Sequence, residues 1–252
     1  MNSGNLIYMP VFRGKKYELK LLELVLPFLQ GYPVVPIVEP VIADTAQLEH
    51  VIDYYETFEV PLGVVCNPSV GAFRKSPEHL VARAGASLLR RSSAFPVCRV
   101  RSGNIDWDWL GKADQFALIE DGMPGSQTLT RLGRAAGSLA YRIIARKGAC
   151  AADQGLSGER IQLGEGFPRR PNAEHPPDEK FISGPGRLDL RSASGWADYS
   201  VAGEQYQESG ARPYAVAIHI TYWDPGDGGL RVRHYLSDRT DGPEDTEGKF
   251  GE

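Results

Sequence analysis

Short and nearly continuous apolar runs alternate with longer amphipathic segments over the first two thirds of the chain. The apolar runs are "LIYMPVF", "PVVPIVEPV", "PLGVVCNP", "FPVCRV" and "FALIED". Runs of this length without polar alternation are typical of strands that are buried on both faces, as strands are in a parallel sheet. The pattern therefore predicts five parallel strands within residues 1–148.

Most of the segments between these runs have the periodicity and the end signals of helices. "KYELKLLELVLPFLQG" ends at Gly31, and "DTAQLEHVIDYYETFE" begins with Asp44 or Thr45 as its N-cap. "SPEHLVARAGASLLRR" has Pro77 at the first helical position, and "SQTLTRLGRAAGSLAYRIIARKG" predicts one long helix that ends at Gly148. Repeated strand–helix units with right-handed crossovers predict regular βα units over residues 1–148.

The pattern changes in the last third of the chain. "GERIQLGEGF" predicts a sixth strand, and residues 168–195 are rich in proline, glycine and charge, which favours a long loop or lid. "WADYSVAG" and "YAVAIHITYW" predict strands seven and eight, and "LRVRHYLSD" a strand in a β-hairpin with the eighth. Residues 241–252 are expected to form a flexible tail. The predicted architecture is an α/β fold with a single domain over residues 1–252, an irregular (β/α)8 barrel of the TIM type.

Polar residues follow the predicted strands at the end where a TIM-type barrel carries its active site. The candidate catalytic residues are Glu39, Glu120 and His219. The candidate substrate-binding residues are Arg13, Asn67, Arg99, Asp121 and Tyr222. We expect these side chains to face one another across a single opening of the barrel.

These residue types favour an anionic substrate and leave a metal cofactor open. Arginines bind phosphate or carboxylate groups through forked hydrogen bonds. The acidic candidates, with Glu165 and Asn67, offer oxygen ligands for one divalent cation. The alternative is that Arg13 and Glu39 form an ion pair with a purely structural role.

His219 is the histidine for which the sequence suggests a functional role. It is either a general base or ligand, or a hydrogen-bonded core residue, since it alternates with apolar neighbours in "AVAIHITYW". His50, His79 and His175 are expected to be solvated, and His234 is expected in an outer strand without a special role.

Composition and charge exclude some classes of partner. The net charge of −4 disfavours nucleic acid as a primary ligand. No signal peptide or membrane-spanning run is visible in the sequence. Three cysteines without CxxC spacing, Cys66, Cys98 and Cys150, favour a cytoplasmic protein, and the first two are expected to pack as small hydrophobic residues.

Several segments together resemble the Beta-like protein family of bacteria and phages. They are "YMPVFRGKKYEL", "VVPIVEPV", "VVCNPSVG", "WADYSVAGEQYQESGARPYAVAIHITYW" and the late "GKF". The resemblance implies a bacterial or phage origin and a role in anti-phage defence or toxin control, with a protein partner from a neighbouring gene. It also implies that relatives continue beyond "GKF" with a further helix. It implies no catalytic residues.

The sequence therefore supports two hypotheses about function. One is an interaction component of a defence or toxin-control cassette. The other is a barrel enzyme, with or without a metal, that acts on a small anionic substrate. A barrel fold alone does not decide between them.

Overall fold

The computed structural model describes residues 6–85, 88–89, 91–100, 105–122, 130–131, 134, 138–145, 156–168, 170–181, 193–199, 206 and 217–237. The described strands are β1 (Ile7–Phe12), β2 (Ile37–Val38), β3 (Leu62–Val65), β4 (Ala94–Arg99), β5 (Phe116–Glu120), β6 (Leu139–Ile144), β7 (Glu159–Gly164), β8 (Asp178–Lys180), β9 (Gly195–Tyr199), β10 (Ala217–Asp224) and β11 (Gly229–Leu236). The described helices are α1 (Lys16–Leu29), α2 (Ala46–Thr57), α3 (Pro77–Leu80) and α4 (Trp107–Leu110), with a π-helix at Val81–Gly85 and a 3-10 helix at Asn172–Glu174.

The chain divides by its internal contacts into two compact units. Unit 1 comprises Met1–Leu163 and Gly184–Ala197, and unit 2 comprises Gly164–Ser183 and Asp198–Glu252. A single domain over residues 1–252 stays a prediction.

The predicted TIM-type barrel is confirmed. Strands β1 to β7 and then β9 form a closed eight-stranded barrel, in which neighbouring strands from β1 to β7 pair in parallel. The backbone of Ser194, directly before β9, links both sides of the closure. It accepts a hydrogen bond from Ile7 N at 2.9 Å and donates one to Arg160 O at 2.7 Å.

The helices α1 and α2 lie on the barrel through the apolar faces that their spacing predicts. Leu19, Leu22 and Leu26 are the buried residues of α1, at intervals of three and four. On α2, the buried Tyr55 donates a hydrogen bond from its hydroxyl to Leu22 O at 3.1 Å. Pro77 begins α3, as predicted from its fixed φ.

The prediction of one long helix that ends at Gly148 is wrong, because Leu139–Ile144 form strand β6. This strand pairs with β5 on one side and β7 on the other. Two ladders and the β-branched Ile143 and Ile144 outweigh a helical periodicity that is only local. The predicted sixth strand is therefore β7, the seventh of the barrel, and "WADYSVAG" supplies β9, the eighth.

The segment predicted as the eighth barrel strand lies in a different sheet. Strand β10 pairs antiparallel with β11, and β11 pairs antiparallel with β8, in the order β10-β11-β8. Exposed residues such as Ile218 and Ile220 alternate with more buried ones along β10, which is the pattern of a strand with one solvated face. The predicted C-terminal hairpin is confirmed.

The predicted loop at 168–195 is not structureless where the structure describes it. The 3-10 helix and strand β8 lie within it, and β9 begins at its end. Residues 182–192 and the predicted tail at 241–252 lie outside the described residues.

Candidate functional site

The carboxyl ends of β1 to β5 place a group of polar side chains together in unit 1. We call this group the charged mouth, and its members are Arg13, Glu39, Asn67, Ser69, Arg99 and Asp121. The four charged members are almost completely buried. They comprise two arginines and two carboxylates, so their formal charges balance.

The carboxylate of Glu39 is the centre of the charged mouth. Its Oε2 accepts hydrogen bonds from Nη1 of Arg13 and, at 3.2 Å, from Nη1 of Arg99. Its Oε1 accepts from the backbone N and the hydroxyl of Ser69, at 2.7 and 2.9 Å. Since the Glu39 side chain is fully buried, these donors replace water around its charge.

Asn67 and Asp121 hold Arg99 in position. The side-chain amide of Asn67 donates to Arg99 O at 2.9 Å and accepts from Arg99 N at 2.7 Å, as a neighbouring strand would. Asp121 Oδ2 accepts from Arg99 Nε at 2.9 Å. The Arg99 guanidinium therefore bridges the Glu39 and Asp121 carboxylates.

The turn that carries Ser69 depends on a glycine. Gly71 has φ +76°, and a Cβ there would lie 2.5 Å from the Cα and carbonyl oxygen of Val41. The backbone after β3 thus passes too close to the backbone after β2 for any side chain. This close approach lets Ser69 reach the Glu39 carboxylate.

Glu120 lies on the face of β5 that is turned toward the apolar core, and it belongs to a separate ion pair. It shares a face of β5 with Leu118, which belongs to the main apolar cluster of the core. Its Oε1 and Oε2 accept from Nε and Nη2 of Arg142, at 2.6 and 3.2 Å. The structure therefore does not place Glu120 among the contacts of Glu39.

The charged mouth is a poor cation site as the structure shows it. Both of its carboxylates, Glu39 and Asp121, already contact arginines, whose positive charge opposes a metal ion at the same oxygens. Glu165 lies in unit 2, directly after β7.

His219 and Tyr222 lie on β10 in unit 2. They are three positions apart, an odd number, so their side chains point to opposite faces of the strand. The Tyr222 hydroxyl donates to Asp178 Oδ2 at 2.6 Å. Burial, and secondarily the neighbouring histidines, lowers the pKa of His219 to about 4.

His219 is one of three clustered histidines. His234 faces it across the hairpin, and their Nδ1 atoms lie 2.6 Å apart. His175 packs against both rings, with centroids at 4.7 and 4.6 Å. The prediction that His175 is solvated is wrong, because the residue is buried, whereas His50 and His79 are exposed as predicted.

Sequence reasoning missed four residues of these sites: Ser69, Arg142, His175 and His234. Arg142 was hidden by the helix prediction for its segment. His234 had a usable signal, because the turn "DPGDGG" fixes a hairpin register in which residues 219 and 234 are directly opposite.

Comparisons of the chain with family models, curated proteins and solved structures found no match in any of the three. Along the described part of the chain, no helix has the length and apolar character needed to cross a membrane.

Cys66 and Cys98 are free and buried, as predicted, and burial raises the pKa of both thiols.

Proposed function

We propose that the barrel binds a small molecule with a phosphate or carboxylate group at the charged mouth and acts on it there. One observation carries this proposal: two arginines from different strand ends converge on a single buried carboxylate at the end of the barrel where such folds hold their ligands. Burying this many charges is costly, and a chain that needed only a core would fill these positions with apolar side chains.

Arg13 is the residue that we assign to the anion. At 6% it is more exposed than Arg99 at 1%, and it follows β1 directly. In the proposal Ser69 holds the Glu39 carboxylate, and Glu39 orients the Arg13 guanidinium.

The test is a measurement of thermal stability and binding heat with inorganic phosphate, a phosphomonoester and malonate, against chloride at equal ionic strength. An anion at 100 times its Kd stabilises the native state by about 2.7 kcal/mol. Arg13→Lys keeps the charge but loses the fork, and should weaken binding about 10-fold or more, the equivalent of one charged hydrogen bond. Arg91→Lys, at an arginine that pairs with the exposed Asp53, is the matched control.

The absence of stabilisation by every anion of the panel, relative to chloride, would overturn the proposal. So would equal anion affinity in Arg13→Lys and wild-type protein.

A second candidate function is toxin control or phage defence through direct contact with a protein encoded by a neighbouring gene. The resemblance to Beta-like proteins suggests it, and the outer face of α1 favours it. Four exposed apolar side chains follow one another there at helical spacing: Tyr17, Leu21, Leu24 and Phe28, with exposed fractions of 82%, 45%, 60% and 75%. A continuous apolar stripe of this kind is typical of an interaction surface.

Co-expression with the product of the adjacent toxin or defence gene tests this second function. Leu24→Glu and Phe28→Glu should abolish co-purification and cellular protection without loss of folding, and His50→Glu on the exposed face of α2 should change neither. Unaltered protection by the α1 variants would contradict a role for the stripe. A cytoplasmic location, supported by the free cysteines, is part of both proposals.

A further inference from the structure

We propose that His175, His219 and His234 form a binding site for one Zn²⁺ ion, with the fourth coordination position open to water. The site lies within unit 2 and shares no residue with the charged mouth. It therefore does not depend on the function proposed above.

Three separate backbone segments bring the histidines together. His219 and His234 are directly opposite in the antiparallel register of β10 and β11. His175 follows the 3-10 helix Asn172–Glu174, and β8, which begins three residues later, pairs with β11. His234 N also donates to Pro177 O at 2.9 Å, which ties the segment after His175 to the same strand.

The spacing of the ring nitrogens is close to that of a metal site. One nitrogen of each histidine can be chosen so that all three lie within 4.8 Å of one another. Three nitrogens around a tetrahedral zinc, with bonds of about 2.0–2.1 Å, lie about 3.3–3.4 Å apart. Zinc binding would therefore require the three rings to reorient until their nitrogens have this spacing.

The hydrogen bonds of His234 already give it the tautomer of a zinc ligand. Its Nε2 lies 3.0 Å from Oε1 of Glu179, and a carboxylate only accepts, so Nε2 carries the proton. The lone pair of a neutral His234 is then on Nδ1, which accepts a hydrogen bond from Nδ1 of His219 at 2.6 Å. A metal ion at Nδ1 of His219 would move that proton to Nε2 of the same ring. Zinc-binding histidines typically donate their second N–H to a carboxylate in this way.

Glu179 is held in place for this role. Its Oε2 accepts from Nη2 of Arg170 at 3.0 Å, while Oε1 accepts from Nε2 of His234. We assign Glu179 as a positioning residue for His234, not as a zinc ligand.

An independent observation, at His175, points to a ligand. The residue is buried, and among the described residues no group forms a hydrogen bond with its buried Nδ1. The carboxylate oxygen Oε1 of Glu179 is 3.9 Å away from this nitrogen, which is beyond hydrogen-bond distance. A merely structural histidine cluster would satisfy this nitrogen, because buried polar atoms in native proteins rarely lack a partner. A bound cation would satisfy it.

The surroundings favour a borderline divalent metal. The Phe167 ring covers the cluster, with its centroid 4.2 Å from that of His219 and 5.0 Å from that of His234. Three imidazoles without a thiolate suit Zn²⁺ and disfavour Mg²⁺ and Ca²⁺, and three protein ligands are the arrangement of catalytic zinc sites.

Zinc content and affinity of the full chain test the proposal. The protein is stripped with a chelator and titrated with Zn²⁺ against a chromophoric competitor. Wild-type protein and His50→Gln, the control at an exposed histidine, should each bind one equivalent. His219→Gln and His234→Gln should lose stoichiometric binding. Failure of the wild-type chain to bind one equivalent, or equal affinity in His219→Gln, would overturn the site.

Two further measurements do not depend on the folding of the histidine variants. Co²⁺ in the wild-type chain should give the intense visible bands of a four- or five-coordinate ion, and weak octahedral bands would contradict the proposal. Glu179→Gln should bind one Zn²⁺ with about 10–100-fold lower affinity, as is typical for loss of an orienting partner. Unchanged affinity in this variant would overturn the assignment of Glu179.

Discussion

The buried carboxylate of Glu39 offers the sharpest test of the barrel's electrostatics. Glu39→Gln conserves shape but removes the negative charge that Arg13 and Arg99 share. If the Gln oxygen stays on Ser69, its NH2 group also turns donors toward both guanidinium groups, which contact the same oxygen of Glu39. The variant therefore removes one of the two carboxylates of the charged mouth and keeps the other, Asp121, which pairs with Arg99.

The magnitude follows from the burial of all three partners. Breaking a buried ion pair by removal of one partner costs about 3–5 kcal/mol. Each kcal/mol corresponds to about 2–4 °C in a chain of this size, so Glu39→Gln should lower the Tm by about 6–20 °C. We expect the cost at the upper part of the range, since the Glu39 side chain is fully buried and accepts from four donors.

Urea unfolding of wild-type and variant protein, with the slope m compared, gives the free energy of unfolding. Asp53→Asn is the matched control, because Asp53 also pairs with an arginine but is 58% exposed. An exposed pair contributes only about 0–1 kcal/mol. If Glu39→Gln costs no more than Asp53→Asn, the buried network that we describe does not exist in solution.

Other predictions concern the backbone and the buried thiols. Gly71→Ala should lower the free energy of unfolding more than Gly31→Ala. Both glycines have positive φ, and an alanine at such a position costs about 1–2 kcal/mol of stability. At Gly71 the new Cβ would also meet the backbone, unlike at Gly31, and this contact costs about 1–3 kcal/mol more. Equal urea midpoints for the two variants would contradict the close approach. Burial raises the Cys98 pKa from 9.0 to about 12. The unfolded chain therefore loses this proton first, and stability should fall between about pH 9 and 12. Cys98→Ala should flatten that fall, and an unchanged pH profile would refute it. Native Cys66 and Cys98 should resist alkylation at neutral pH, as peptide mass spectrometry can show.

The first five barrel strands could be predicted because their signal is local. Strands buried on both faces are apolar throughout, and the runs around Val11, Val64 and Val97 show this without reference to other segments. Strand β6 could not be predicted in the same way. Its residues Leu139–Ile144 fit a helical period as well, and only pairing with β5 and β7 decides the conformation.

The candidate site was predictable to the extent that strand ends determine it. That rule alone led to Arg13, Glu39, Arg99 and Asp121, which the structure brings into contact. That rule could not decide whether Glu120 or Asp121 belongs to the charged mouth. Adjacent residues of a strand lie on opposite faces of the sheet, and strand register decides which residue lies on which face. Ser69 lies in a loop whose path is fixed by tertiary contacts and not by local sequence.

The histidine cluster could not be predicted from individual strands, because its three residues come together only through long-range packing. His219 was placed at a barrel opening because its segment is apolar enough for a barrel strand. Its partner His234 follows from the hairpin register, but the position of His175 depends on how the segment before β8 folds back on β11. Long-range packing of this kind leaves no periodic signal in the sequence.

The most direct test of the central claim is a titration with phosphate and with malonate, followed through the side-chain Nε resonances of ¹⁵N-labelled arginines. We expect a saturable shift of the Arg13 resonance that is absent in Arg13→Lys. The resonance of Arg91, which pairs with the exposed Asp53, should not shift. No saturable change at Arg13 with either anion, or an equal change at Arg91, would contradict an anion site at the charged mouth.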